Sequence, residues 1–398
     1  MTSPPANARV KARSAEPTSL LQDFVDYQHE NVFMRAFSFP CSQLPVVASE
    51  RADMAERIAV FDDVGFVIHL KERDNRVALK AADLEKWVTN QVARRGAKEI
   101  HATVDVMRRY ASMSVVNDYG HRLTVSPRKI EEMVCAMVYR VPEKSRPFRA
   151  ARFKPGRDGP FIHILRDTDY FEICDHFVTP AELQEYFAFR RDVLLTWDPP
   201  SAAITEGALI GQFLLEDYSS PPDAKYERAA LSHGGPIASE FAFILDSLGS
   251  DIASQEDDFA DTDGYQILIE LARVGRRELR ALKQELRTTL EAVRQNRFEL
   301  PYRIISPRRQ CGFLLVPVTK EFRARAFDAL MSLSMASKHE LRLEKQVGIG
   351  MWRTREFVDI EWVYMESPQM ENPGLDRRLE QLYPFRRASE KRLPPIFL

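Results

Sequence analysis

The stretch Glu56-Arg57-Ile58-Ala59-Val60-Phe61-Asp62-Asp63-Val64-Gly65-Phe66-Val67-Ile68-His69-Leu70-Lys71 constrains this chain more than any other. β-Branched and aromatic residues fill two short runs, Arg57–Phe61 and Gly65–Leu70. The Asp/Gly cluster between them is the chemistry of a tight hairpin turn. Glu56 opens the first run and Lys71 closes the second. In an antiparallel pair those two ends lie side by side, so a carboxylate and a lysine are presented together at one edge of a small sheet.

A lone hairpin is marginal in water and needs further elements to bury its apolar face. Leu20, Leu21, Phe24, Val25, Val32 and Phe33 recur at helical spacing just upstream. Downstream, Leu79 to Met113 reads as a long helical region that Gly96 divides, with Leu84, Trp87, Val88 and Val92 on one stripe. Strands are expected from Met113, over Arg122–Val125 and over Met133–Val141, giving an α/β layout. Four sections follow: a flexible tail over 1–18, an α/β domain over 19–145, a mixed and mainly helical middle domain over 146–262, and a C-terminal α/β domain over 263–398. The last is expected to run β-β-α-β-β, with strands at Tyr302–Ser306, Gly312–Val318, Gln346–Trp352 and Phe357–Tyr364. A single helical run over Gly264–Arg297 precedes these strands. The chain is therefore read as multidomain α/β, which suits its 398 residues.

Composition removes several function classes. The four cysteines, Cys41, Cys135, Cys174 and Cys311, are far apart and form no CxxC or Cys/His ligand spacing. That argues against a zinc site or a disulfide framework, and for a reducing compartment. Cys135, inside an apolar strand, and Cys174, with apolar flanks, read as core thiols, and His163 reads as structural. No apolar run reaches membrane-spanning length and the N-terminus carries no signal-peptide pattern, so a cytoplasmic location is expected. The formal net charge of -2 restricts any nucleic-acid contact to a local patch. Neither GxSxG nor GxxxxGK[ST] occurs, and Gly348-Ile349-Gly350 lies within a strand, so no nucleotide cofactor is expected.

Metal-assisted phosphodiester cleavage needs carboxylates to hold Mg²⁺ and often a lysine to orient water or stabilise charge. An acid at the start of one strand and an acid-x-Lys at the end of its hairpin partner provide these groups. Residues of roughly 20–140, about a third of the chain, resemble the PD-(D/E)XK nuclease superfamily in its restriction endonuclease-like, Mrr-like and NERD-type forms. The resemblance implies a Mg²⁺ cofactor and a nucleic-acid substrate. It puts Glu56 in the place of the first motif acid, with Asp53 and Asp62 or Asp63 as substitutes out of register and Glu30 or Asp53 assisting it on the metal, and Lys71 in the place of the motif lysine. Glu30, in the upstream helix, would be the helix acid. Lys98-Glu99-Ile100 falls where relatives carry a Gln or Lys that braces the site. His69 stands two residues before Lys71, where the pattern has Asp or Glu, and imidazole is a poorer Mg²⁺ ligand than carboxylate.

Two readings stay open at this point. One is a metal-dependent DNA or RNA endonuclease whose other sections sense or regulate. The other is a nuclease fold without its metal acids, acting as a nucleic-acid-binding or protein-interaction adaptor, as in a bacterial defence or toxin pair. Arg140, Lys144, Arg146, Arg149, Arg152, Lys154 and Arg157, with Phe148 and Phe153 interleaved, form a basic linker suited to phosphate neutralisation and base stacking. The charged run Arg273–Arg297 mixes Arg and Glu at i,i+3 and i,i+4, the pattern of a solvated helix face.

Overall fold

A computed structural model describes residues 20–31, 34–45, 54–73, 80–142, 150–156, 159–197, 204–233, 248, 263–306, 309–354, 357–369 and 371–386, with only the backbone for Glu30 and Asn31. The expected tail over 1–18 lies outside the described residues. The hairpin forms as its sequence dictates. Strands β2 (Arg57–Phe61) and β3 (Val64–Glu72) pair antiparallel, with Asp62 in the left-handed region at φ 53° in the turn. Upstream, β1 (Ser38–Pro40) pairs with β2 as the edge strand. Pro40 is tolerated there because an edge strand leaves one side unpaired.

The next segment returns the chain to the same sheet. It begins as α2 (Ala81–Trp87), passes through a nine-residue π-helix (Val88–Gly96) and continues as α3 (Ala97–Arg109). Gly96 does not break this helix, because its backbone is helical. Lacking a Cβ, it lets the helix approach the sheet: a Cβ there would lie 1.9 Å from Met137 Cε and 3.1 Å from the His69 ring. After a small antiparallel pair, β4 (Met113–Val116) and β5 (Arg122–Val125), strand β6 (Glu132–Arg140) aligns parallel to β3.

Strands β7 (Phe153–Lys154) and β8 (Ile162–Arg166) complete a six-stranded sheet of order β1-β2-β3-β6-β8-β7. The boundary expected near residue 145 thus falls within a continuous hydrogen-bonded sheet. The apolar runs of β6 and β8 are buried, as parallel strands covered on both faces are, and the two pair directly. α1 (Leu20–Asn31) packs on one face, where Leu21 N donates to the Glu72 carboxylate at 3.2 Å. His69 and Lys71, which alternate with Glu72, face α3 on the other.

The middle section is helical: α4 (Asp167–His176), α5 (Pro180–Trp197), α6 (Glu206–Leu215) and α7 (Ala224–His233). Thr179 starts α5, its hydroxyl accepting from Glu182 N at 3.1 Å. Its interior holds a charged network. Arg190 is fully buried and grips Glu206 through Nε and a terminal nitrogen at 2.8 and 3.1 Å, and Tyr186 and Arg152 also bond to Glu206. His163 accepts from Arg190 at 3.2 Å, and burial pushes its pKa well below the ordinary value.

The C-terminal section opens with two helices rather than one. α8 (Asp263–Ala272) ends before Val274, whose carbonyl accepts from Thr179, and α9 (Arg276–Arg294) begins after Gly275. Strand β9 (Tyr302–Ser306) pairs antiparallel with β10 (Cys311–Pro317). Helix α10 (Ala326–Glu340) crosses over to β11 (Lys345–Arg353), parallel to β10, and β12 (Val358–Glu366) closes a sheet of order β12-β11-β10-β9. The β-β-α-β-β order is as the periodicity predicts. A final helix, α11 (Pro373–Gln381), contacts α10. Gly348 makes room for α10, since a Cβ there would lie 2.3 Å from Ser334 Oγ. All four cysteines are free and buried, and burial pushes the Cys174 and Cys135 thiols up to about 12.

Removing one member of the buried Arg190–Glu206 pair leaves an uncompensated charge in the core. Glu206→Gln is therefore expected to cost about 3–5 kcal/mol in urea unfolding, whereas Arg191→Gln, at an exposed neighbouring position, should change the midpoint little.

Candidate functional site

The register of the hairpin decides which side chains meet. Arg57 lies opposite Ile68, so Glu56 falls opposite His69 and not opposite Lys71. The backbone at Glu56 and its neighbour is held: Cys41 N donates to the Glu56 carbonyl at 3.0 Å, and Ala55 N donates to Thr103 Oγ1 of α3 at 2.8 Å. Its carboxylate accepts from Leu70 N at 2.6 Å and from His69 Nδ1.

The other edge of the same imidazole meets α3. His69 Nε2 hydrogen-bonds to Glu99 Oε2, which also pairs with Lys71 Nζ at 2.8 Å, while Arg95 Nε donates to Glu99 Oε1 at 3.0 Å. His69 and Glu99 are buried, with Lys71 and Glu56 reaching solvent and Arg95 largely exposed. Neutral imidazole has one N–H donor. A ring with a carboxylate oxygen at each nitrogen is satisfied only as the imidazolium. Burial by itself lowers the His69 pKa, but the hydrogen bonds to Glu56 and Glu99 outweigh it and hold the pKa above the ordinary value. For Glu99 burial raises the pKa, and the bonds from His69 and Lys71 bring it down to about 2.

Helix chemistry reinforces this cluster. The π-helix and α3 carry Arg95 and Glu99 on consecutive turns, and π-helical turns are rare and often sit at functional sites. Thr103 Oγ1 bonds back to the Glu99 carbonyl at 2.9 Å, joining that turn to the backbone beside Glu56. Arg94 and Lys98 are exposed on the same stretch.

The structure thus brings Glu56, His69 and Lys71 together and adds Glu99 and Arg95. Glu99 lies in the Lys98–Ile100 triplet expected to brace the site. Of its two charged residues, Lys98 is exposed and Glu99 turns inward. Asp53 and the Glu30 side chain lie outside the described residues. Of the basic linker, Lys144, Arg146, Arg149 and Arg157 also lie outside them. Arg140 pairs with Asp167 and with Glu72, its neighbour across the sheet, and sits over the Phe24 ring. Arg152 pairs with Glu206, and half-buried Lys154 lies in the edge strand β7. Arg140 and Arg152 are thus held by acids of the chain.

A magnesium ion needs near-octahedral oxygen ligands about 2.0–2.1 Å away. Glu56 and Glu99 sit on opposite edges of the His69 ring, and each uses oxygens to hold cationic or N–H donors. So arranged, these residues do not fit a shared Mg²⁺ ion. Among the described residues no group of three or more His, Cys, Asp or Glu is placed to hold a metal. No protein family, curated protein or solved structure matches this chain. No helix among the described residues is long and apolar enough to cross a membrane.

The clamp has a pH signature. With its raised pKa, His69 contributes stability that is full below 6.5 and is lost as pH rises through the folded value. Glu99 contributes stability that is full above 4.5 and is lost as pH falls toward 2. Thermal melts of wild type and Glu99→Gln should differ most from about pH 5 to 6.5, with the gap narrowing on both sides. In that window the substitution should cost about 3 kcal/mol. Buried neutral His29 and His163 penalise both proteins equally in acid, so the difference between the two curves isolates the clamp.

Proposed function

We propose that the N-terminal sheet and its helices are a nuclease-like module that binds nucleic acid without hydrolysing it. The observation that carries this reading is the His69 ring between Glu56 and Glu99, an internal cation where the motif pattern has an acid that would hold an external one. Support for the nuclease-like part is positional. An acid at the start of β2 and a lysine at the end of β3 converge with a helix acid at one end of the hairpin.

Support for nucleic-acid binding is electrostatic. His69, Lys71 and Arg95 outnumber Glu56 and Glu99, and Arg94 and Lys98 extend the positive charge along the exposed side of the same helix. Phosphate contacts of this kind give affinity that is sequence-tolerant and steeply salt-dependent.

The purified chain, incubated with single- and double-stranded DNA and RNA in Mg²⁺ or Mn²⁺, is expected to leave every substrate intact while retarding at least one of them in a gel. Arg94→Ala combined with Lys98→Ala should weaken that binding across sequences and flatten its log–log salt slope by about 2. Cleavage that disappears in Lys71→Ala would return the hydrolytic reading. Failure to retard any nucleic acid would sink the binding reading.

A further inference from the structure

A cleft of 1280 Å³ lies far from this cluster, where the tip of the β2–β3 hairpin, α5, the start of α9 and strand β9 meet. Small-molecule pockets run to roughly 300–1,000 Å³, so this space suits a longer, extended ligand. Its wall carries partly exposed apolar groups: Trp197 at 37%, Ile305 at 39% and Tyr218 at 58%.

Charge sorts the ligand further. The cleft's arginines are committed to acids of the chain: Arg273 to Asp62 and Asp63, Arg276 to Glu182, Arg277 to Glu216, and Arg309 to Asp62 and Glu270. The start of α9 is likewise occupied, since Arg276 N donates to the Glu185 carboxylate at 3.1 Å. Seven acids line the cleft against these four arginines, which disfavours an anion there.

Other acids of the cleft reach solvent. Glu131, Glu132 and Asp192 are exposed. Among the described residues Glu132 is bonded by the Gln184 amide, and Asp192 pairs only with the exposed Arg191 beside it. Among the described residues strand β9 is the last of its sheet; Arg386 N donates to the Pro301 carbonyl at its start, and Ile304, Ile305 and Ser306 lie in the cleft. An edge strand offers unpaired N–H and C=O groups to an added strand.

We infer that this cleft is a docking site for a basic, extended peptide segment of a partner protein, which lies along β9, places apolar side chains on Trp197 and Ile305, and sets lysines or arginines against Glu131, Glu132 and Asp192. The site is separate from the His69 cluster, and its acidic rim repels the nucleic acid proposed for that cluster.

The test uses the full chain and a fluorescein-labelled decapeptide alternating lysine with leucine, read by fluorescence polarisation. Saturable binding is expected. It should weaken at least tenfold in a triple variant carrying Glu131→Lys, Glu132→Lys and Asp192→Lys, and severalfold in Ile305→Ser, with unchanged circular dichroism confirming that both variants fold. A peptide with glutamate in place of lysine should not bind. The proposal is overturned if the lysine peptide does not bind, if the glutamate peptide binds equally, or if the folded triple variant retains full affinity.

Discussion

The antiparallel register of β2 against β3 determines what this end of the molecule can do. Because Arg57 pairs with Ile68, Glu56 faces His69, and the two-residue period of a strand puts His69 and Lys71 on one face. Helix α3 then crosses that face close enough to set Glu99 against both. A slip of one residue would turn His69 and Lys71 to the α1 face and dissolve the cluster. The close approach depends on Gly96, where a side chain would collide with Met137 and press on the imidazole.

The same physical constraint recurs elsewhere: a carboxylate taken out of water must be matched by cations. Glu99 holds His69, Lys71 and Arg95; Glu206 holds Arg190 and Arg152; Glu270 pairs with Lys345 and Arg309. These groups also tie the sections together. Asp62 and Asp63, in the hairpin turn, are gripped by Arg273 from the end of α8, and Arg309, before β10, pairs with Asp62 as well. One end of the hairpin therefore carries the imidazolium clamp, and its turn is anchored to the C-terminal section. Such pairs contribute little net stability relative to well-packed apolar residues, but breaking one of them is costly.

Much of the local structure was legible in the chain itself. The hairpin, the β-β-α-β-β order of the C-terminal section and the core placement of Cys135 and Cys174 follow from period, turn chemistry and flanking residues. The misplacements have definite causes. Gly96 carries the sequence signal of a helix break, but packing against β3 and β6 keeps the helix continuous through a π turn. The basic linker looked like a boundary because prolines and charges interrupt its periodicity, and sequence does not reveal that β8 returns to β6. Arg140 and Arg152 resembled phosphate ligands by type, yet Asp167, Glu72 and Glu206 claim them from distant positions.

By itself, the sequence determined that an acid, a histidine and a lysine would sit at one end of a short hairpin, because strand period and turn residues act over a few neighbours. Only the tertiary structure decided that Glu56 would answer to His69 rather than Lys71, and that Glu99 would close the other edge of the ring. Those contacts join residues 13 and 30 positions apart. They depend on pairing register and on how closely a helix can approach a sheet, which many distant side chains set together and no local pattern encodes.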